Sequence, residues 1–248
     1  MMKINLTDQV ALVTGSAHRV GKAIALELAR NGVHIMVHYN GSGDEATETL
    51  REIKSHGVEA FSVQANVGTP EGVETIFAAV REHFGRLNIL VNSASNFGKG
   101  NIADLSLEDW QETLDINLSG PFLCTQQAAR LMRENDPSGG AIVNICDKGS
   151  LEPWHDRPHH SVSKAGLYSL SMNSALNLAP DIRVNVVIPG PVMKPQTMSN
   201  DDWAKITARA PLKRAGSGDD VARAVAYLVS EDFLTGTVIH VTGGEHLL

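Results

Sequence analysis

Cysteine is scarce in this sequence: Cys124 and Cys146 are the only two in 248 residues. They stand in expected buried elements and form no motif, which excludes a disulfide framework and points to free thiols in a reducing compartment. No apolar run approaches the roughly 18 residues that a spanning helix needs. Basic residues are in the minority, 21 against 28 acidic, for a formal net charge of −7. That balance argues against nucleic acid or an anionic membrane as the main partner. No signal-peptide pattern precedes Val10, so a cytoplasmic location is expected. No linker, repeat or low-complexity stretch divides residues 1–248, which are read as a single domain. Hydrophobic content of 42% and charged content of 20% are those of an ordinary globular domain, and the length is ample for a sizeable core.

The most informative stretch runs from Val10 to Gly21. Val10–Val13 is an apolar run of the kind a buried parallel strand shows. Thr14-Gly15 breaks it, and from Gly21 the apolar residues Ile24, Leu28 and Ala29 recur at helical spacing. Strand, tight turn and helix start leave backbone N–H groups aimed at one point, which suits a phosphate. Gly15 permits the turn and Gly21 permits close packing of helix on sheet. The middle glycine of a Gly-x-Gly-x-x-Gly fingerprint is absent. Arg19 stands in its region, where a guanidinium also suits a phosphate. The bland alternative is an ordinary strand-to-helix turn.

Further strands are expected at Val33–Tyr39, Val58–Ala65, Leu87–Asn92, Ala141–Cys146, Arg183–Ile188 and Thr237–Val241. Helices are expected at Asp44–His56, Pro70–Phe84, Leu107–Glu134 (entered through a Ser106-x-x-Asp109 cap), Val162–Leu178, Asp201–Ala208 and Asp219–Ser230. Strands alternating with helices throughout predict a doubly wound α/β fold of Rossmann type, with one parallel sheet covered by helices on both faces.

The end of the second strand lacks an acid. In such folds a carboxylate there binds the ribose hydroxyls of NAD, yet the chain reads His38-Tyr39-Asn40-Gly41-Ser42. Nothing there repels a 2′-phosphate, and Arg19, His38, Asn40 and Ser42 are candidates to bind one. NADP(H) is therefore expected over NAD(H). The alternative for His38 and Tyr39 is that they simply finish a strand. Asn66 and Val67, ending the third strand, are placed to meet the adenine.

Thr14-Gly15…Gly21, Asn92-Ser93-Ala94, Asn117, Ser163-Lys164-Ala165 and Arg183-Val184-Asn185…Pro189-Gly190 together resemble the short-chain dehydrogenase/reductase family, in order and spacing, from about Leu6 to Leu247. The resemblance implies a seven-stranded Rossmann-type sheet and a nicotinamide cofactor. On the family's pattern the cofactor is held by Gly15, Ser16, His18, Arg19, Val20, Gly21, Asn92, Ser93, Ala94, Lys164, Pro189, Gly190 and Val192. It also implies a homotetramer or homodimer acting on a small-molecule substrate. Within the family, His18-Arg19, His38-Tyr39, Ser95-Asn96-Phe97 and Asp147 resemble the pteridine reductases. There a Phe at the position of Phe97 stacks on the pterin and an Asp replaces the usual Ser. Gly41 departs from that branch, which has Arg after the second strand.

A tyrosine is missing too. The family places one four residues before the Lys, so that both share a helix face; here that position is His160. An imidazolium, titrating near 6.5 in model compounds, is a competent acid at neutral pH. Asp147, His160 and Lys164 are a candidate proton-donating set, with Asn117 kinking the long helix and holding a water, as in the family. Ser95, Phe97 and Trp154 are candidate substrate residues. The alternatives are loop packing for Phe97 and a loop anchor for Trp154. His155 and His159 have ligand-like spacing, but Pro158 is expected to interrupt any helix there, so a polar loop is preferred and no metal is expected. Two functions remain open. One is an NADPH-dependent reductase of a conjugated C=N or C=O group, with a carbonyl or 3-oxoacyl reductase as the runner-up. The other is a catalytically weak or inactive NADP(H)-binding sensor.

Overall fold

All four residues of Val10–Val13 are buried, and so are all four of Ile89–Asn92 and five of the six in Gly140–Ile145. Strands with no wet face belong in the middle of a sheet covered on both sides. The computed structural model shows this arrangement for residues 4–195 and 198–248. Residues 1–3 and 196–197 of the expected single domain lie outside the described part.

In chain order the elements are β1 (Val10–Val13), α1 (Arg19–Arg30), β2 (His34–Tyr39), α2 (Gly43–Lys54), β3 (Ala60–Gln64), α3 (Pro70–Phe84) and β4 (Ile89–Asn92). Then come α4 (Leu107–Leu114), α5 (Gly120–Arg133), β5 (Gly140–Ile145), α6 (Pro158–Leu178), β6 (Ile182–Pro189), α7 (Asn200–Arg209), α8 (Gly218–Ser230) and β7 (Val238–Val241). The seven strands form one parallel sheet in the order β3-β2-β1-β4-β5-β6-β7. Alternate residues serve opposite cores. Ala11, Val13, Ile35 and Val37 pack with Ile24 and Leu28 of α1 and Val221 and Val225 of α8. Val10, Leu12 and Met36 pack with Ile76 and Val80 of α3 and Leu131 and Met132 of α5.

Two expected helices differ in a way that shapes the site. The expected single helix from Leu107 to Glu134 is interrupted by a π turn, Asp115–Ser119, between α4 and α5. Asn117 sits at its centre, and its side chain bonds outside the helix, a recognised cause of such a bulge. The helix expected from Val162 begins at Pro158, so the expectation that Pro158 interrupts any helix there is wrong. Proline has no N–H to lose at the first helical position, where that group is unpaired anyway. His159 and His160 therefore lie in the first turn of α6, not in a loop.

Candidate active site

The strand order reverses between β1 and β4, the place where such sheets open a crevice. Thr14 holds that junction, its hydroxyl accepting the N–H groups of Ser93 (3.0 Å) and Ala94 (3.1 Å). Gly15 has a φ of +64°, and a Cβ there would lie 2.8 Å from the Ala94 Cα. A Cβ at Gly21 would strike the Gly15 carbonyl. The helix thus starts directly against the turn, and the N–H groups of Arg19, Val20 and Gly21 have no acceptor within α1. That end of α1 can take a phosphate.

Several expected cofactor ligands are committed elsewhere. Ser16 is fully buried; its hydroxyl donates to the Val13 carbonyl at 2.7 Å and accepts the His38 N–H at 3.2 Å. The Gly15 N–H donates to His38 Nδ1 at 3.1 Å, and the Ser16 N–H donates to the His38 carbonyl. His38 is not a cation for a 2′-phosphate. With Nδ1 accepting from Gly15, its Nε2 donates to the Ala65 carbonyl at 3.0 Å, and burial lowers its pKa to about 4. Tyr39 is half-buried on the core and lies against Gly43. The Arg19 guanidinium donates to the carbonyls of Met193 (3.2 Å) and Lys194 (3.3 Å) in the loop after β6, not toward the end of β2. Its backbone adopts a φ of +55°, the conformation that explains a glycine preference there. Asn92 is also buried, donating to Asn144 Oδ1 at 2.8 Å, and so ties β4 to β5. His18 and Asn40 are exposed and Ser42 is half-buried, free of such commitments. Asn66 is exposed and Val67 buried beside an open cavity of about 350 Å³ that reaches α4. On the other side, a Cβ at Gly190 would lie 2.9 Å from the Thr242 Cα. The Val192 N–H turns back to the Gly190 carbonyl at 2.8 Å, and Pro189 ends β6.

The four candidate reaction residues converge. His160 is buried, and its Nε2 lies 2.5 Å from Asp147 Oδ2. Its Nδ1 lies 3.1 Å from the Asn96 carbonyl and 3.3 Å from Asn117 Nδ2. Nε2 thus faces a carboxylate, which takes a proton from it, while Nδ1 lies between the Asn96 carbonyl and the Asn117 amide. Asn117 accepts the Asn96 N–H at 2.8 Å and donates to the Asn96 carbonyl (3.1 Å) and Ser163 Oγ (3.1 Å). Burial pushes the Asp147 carboxyl up, but the hydrogen bond from His160 and the charges of Lys164 and His160 outweigh it and hold it below the usual range. Lys164 is buried, one N–H going to the Ile145 carbonyl at 2.9 Å.

Aromatic rings roof this group. Phe97 is 44% exposed and meets His160 edge-on at 4.7 Å and Trp154 edge-on at 5.2 Å. Trp154 stacks over His160 at 5.8 Å, and its main-chain N–H donates to Ser161 Oγ at 3.0 Å. Ser95 is exposed beside them. His155 is exposed while His159 is buried under Gly98 and Gly100, so the two do not converge. Three contributors carry no role in the sequence reading, although Asn96 and Ser163 fall within its motifs. Asn96 acts through its main chain, and Ser163 completes the Asn117 bonds. Arg157 stacks its guanidinium 3.7 Å from the Phe97 ring centre. Only the adjacent Pro158, read as a helix start, would have marked Arg157. Burial raises the thiols of Cys124 to about 12 and Cys146 to about 11, so neither is a nucleophile here.

Residues 15–246 match a family profile described as enoyl-(acyl carrier protein) reductase. The chain is 36% identical to glucose 1-dehydrogenase 2 of Bacillus subtilis (strain 168), over 98% of its own length and 96% of that protein's. The chain belongs to the short-chain dehydrogenase/reductase family. It is 35% identical to the 3-oxoacyl-[acyl-carrier-protein] reductase FabG of Staphylococcus epidermidis, over 97% of this chain and 100% of that one. The solved structure of angucycline C-6 ketoreductase LanV with bound NADP superposes with a TM-score of 0.91 at 29% identity, covering 98% of each chain. The family makes this chain an NAD(P)-dependent oxidoreductase, on the doubly wound single-domain fold expected from the sequence. Among the described residues no helix is long and apolar enough to cross a membrane.

Proposed function

We propose that the protein is an NADPH-dependent reductase that delivers hydride to a planar, conjugated C=N or C=O group, a pteridine being the best-fitting class, with His160 and Asp147 as the proton source. The observation that carries this reading is the 2.5 Å His160–Asp147 pair beneath Phe97 and Trp154. An acid built on a paired imidazolium suits protonation of a ring nitrogen or oxygen near neutrality. Aromatic walls suit a flat ring that must be oriented for transfer.

The donor set fits a nicotinamide dinucleotide phosphate. The end of α1 offers three free N–H groups to a pyrophosphate, and Arg19 bridges from there to the loop after β6. No carboxylate stands at the end of β2 before Asp44, and His18, Asn40 and Ser42 are free to meet a 2′-phosphate. The bound NADP of LanV supports the same choice. When bound, the reduced nicotinamide supplies the hydride. His160 gives its proton to the substrate atom adjacent to the carbon reduced, and Asp147 stabilises the imidazolium beforehand. Asp147, whose side chain is 19% exposed, links His160 to solvent for reprotonation. Lys164 and Asn117 hold this array in place from α6 and the π turn. In this reading His160 stands where the family has tyrosine, and the chain falls in the pteridine reductase branch.

A carbonyl or 3-oxoacyl reductase is the second reading, favoured by the likeness to FabG over the whole chain. NADPH oxidation measured across dihydropterins, quinones, diketones and acyl thioesters separates the two. The proposal expects the highest kcat/KM with a dihydropterin. Turnover of acyl thioesters with none of the planar heterocycles would overturn it.

A further inference from the structure

Arg157 caps α6 at the rim of the cleft and has no role in the reading above. Its side chain is only 13% exposed. Nη1 donates to the Phe97 carbonyl at 2.5 Å and the Gly98 carbonyl at 2.9 Å, and the guanidinium plane covers one face of the Phe97 ring. Main-chain carbonyls satisfy hydrogen bonds but do not neutralise a charge. Its nearest carboxylate, Asp156, is 4.0 Å from Nε and already holds Lys99 at 3.0 Å. Among the described residues Nη2 has no acceptor. Burial lowers the Arg157 pKa against the opposing charges of Asp156 and Asp147. The guanidinium is thus clamped beside Phe97 by main-chain carbonyls, with one edge left unpaired among the described residues. A ligand oxygen that completes that edge gains a charge-assisted hydrogen bond from a donor already fixed in place.

We propose that Arg157 is a specificity-determining residue that hydrogen-bonds through Nη2 to an oxygen on the substrate ring, an oxo, enolate or carboxylate group. This rests on the reading of the cleft as a site for planar conjugated substrates. Phe97 and Trp154 then select flatness, and Arg157 selects the oxygen at the ring edge. Planar rings that carry an amino group at that edge present a donor to a donor and are disfavoured.

Calorimetric titration of the NADP⁺-loaded protein with two ligand pairs tests this. The first pair is a 2-amino-4-oxopteridine and its 2,4-diamino analogue. The second is a hydroxynaphthoquinone, anionic at neutral pH, and unsubstituted naphthoquinone. Arg157→Gln removes the charge and keeps a polar side chain, and Arg157→Lys keeps the charge without the planar fork. The expected result is at least a tenfold loss of affinity for the oxygen-bearing member in Arg157→Gln, with the other member changed less than twofold. Arg157→Lys should fall between, and NADP⁺ affinity and the thermal midpoint should stay near wild type. If only the quinone pair binds and shows the difference, the pteridine reading fails while the role of Arg157 stands. Equal losses on both members of a pair, no loss at all, or no binding of either pair to the wild type would overturn the proposal.

Discussion

His160 lies against Asp147 at one ring nitrogen and the Asn96 carbonyl at the other, and in the proposed mechanism it gives the substrate the proton that Asp147 holds. Replacing it with phenylalanine should lower turnover roughly 100-fold or more, the usual size of a general-acid contribution. NADPH affinity should stay nearly unchanged, which titration calorimetry will show. His38 behaves in the opposite way, being buried in its neutral form. Its folded pKa of about 4 lies below the unfolded value of 6.5, so the unfolded chain takes up the proton first as pH falls. Its contribution is therefore fully present above pH 6.5 and is lost as pH drops toward 4, amounting to about 3 kcal/mol over that window. Chemical denaturation across pH 4–8 should show this slope in the wild type and lose most of it in His38→Asn.

The same contrast explains what could be read at the scale of elements. Alternation of apolar strands and amphipathic helices announced the sheet, and the spacing Gly15…Gly21 announced the turn, because both are local patterns. The kink that the family resemblance implies at Asn117 is present as the π turn Asp115–Ser119. Burial is not local. Ser16, His38 and Asn92 carry the right chemistry for a ligand, yet partners distant in sequence occupy them: the His38 N–H, the Ala65 carbonyl and Asn144, respectively. Arg19 was misplaced for a related reason. It lies in the glycine loop, but its guanidinium reaches across to residues 193 and 194. That position sets a prediction at the N-terminus of α1. Arg19→Ala should weaken NADPH and NADH alike, by the 1–3 kcal/mol or so of charge-assisted contacts. A selective loss of NADPH affinity would return Arg19 to the 2′-phosphate. For the π turn, Asn117→Ala strips partners from half-buried Asn96 and buried Ser163. It should cost about 2 kcal/mol of stability, measurable by denaturant titration, and lower kcat by loosening His160.

For the whole molecule, the Gly15–Gly21 turn follows β1, Asn96 and Phe97 follow β4, and Asp147 follows β5, so the carboxyl ends of the central strands carry the proposed coenzyme and proton-transfer residues. Apolar Phe122 on α5 and Val162 and Leu176 on α6 remain exposed, and we propose that copies assemble through these helices as the homotetramer or homodimer that the family resemblance implies. Light scattering should give such a mass. With no carboxylate at the end of β2, NADPH should bind at least several-fold tighter than NADH. The central claim is that a histidine, with its aspartate, does the proton transfer of this reductase. It is tested most directly by the pH dependence of kcat for NADPH-driven reduction of the best dihydropterin between pH 5 and 9. Our account predicts a turnover that falls as pH rises and the imidazolium is lost, with the fall displaced to lower pH in Asp147→Asn, which lacks the charge that favours the cation. A turnover that stays level to pH 9, or a wild-type protein that binds NADPH and reduces nothing across that range, would contradict it.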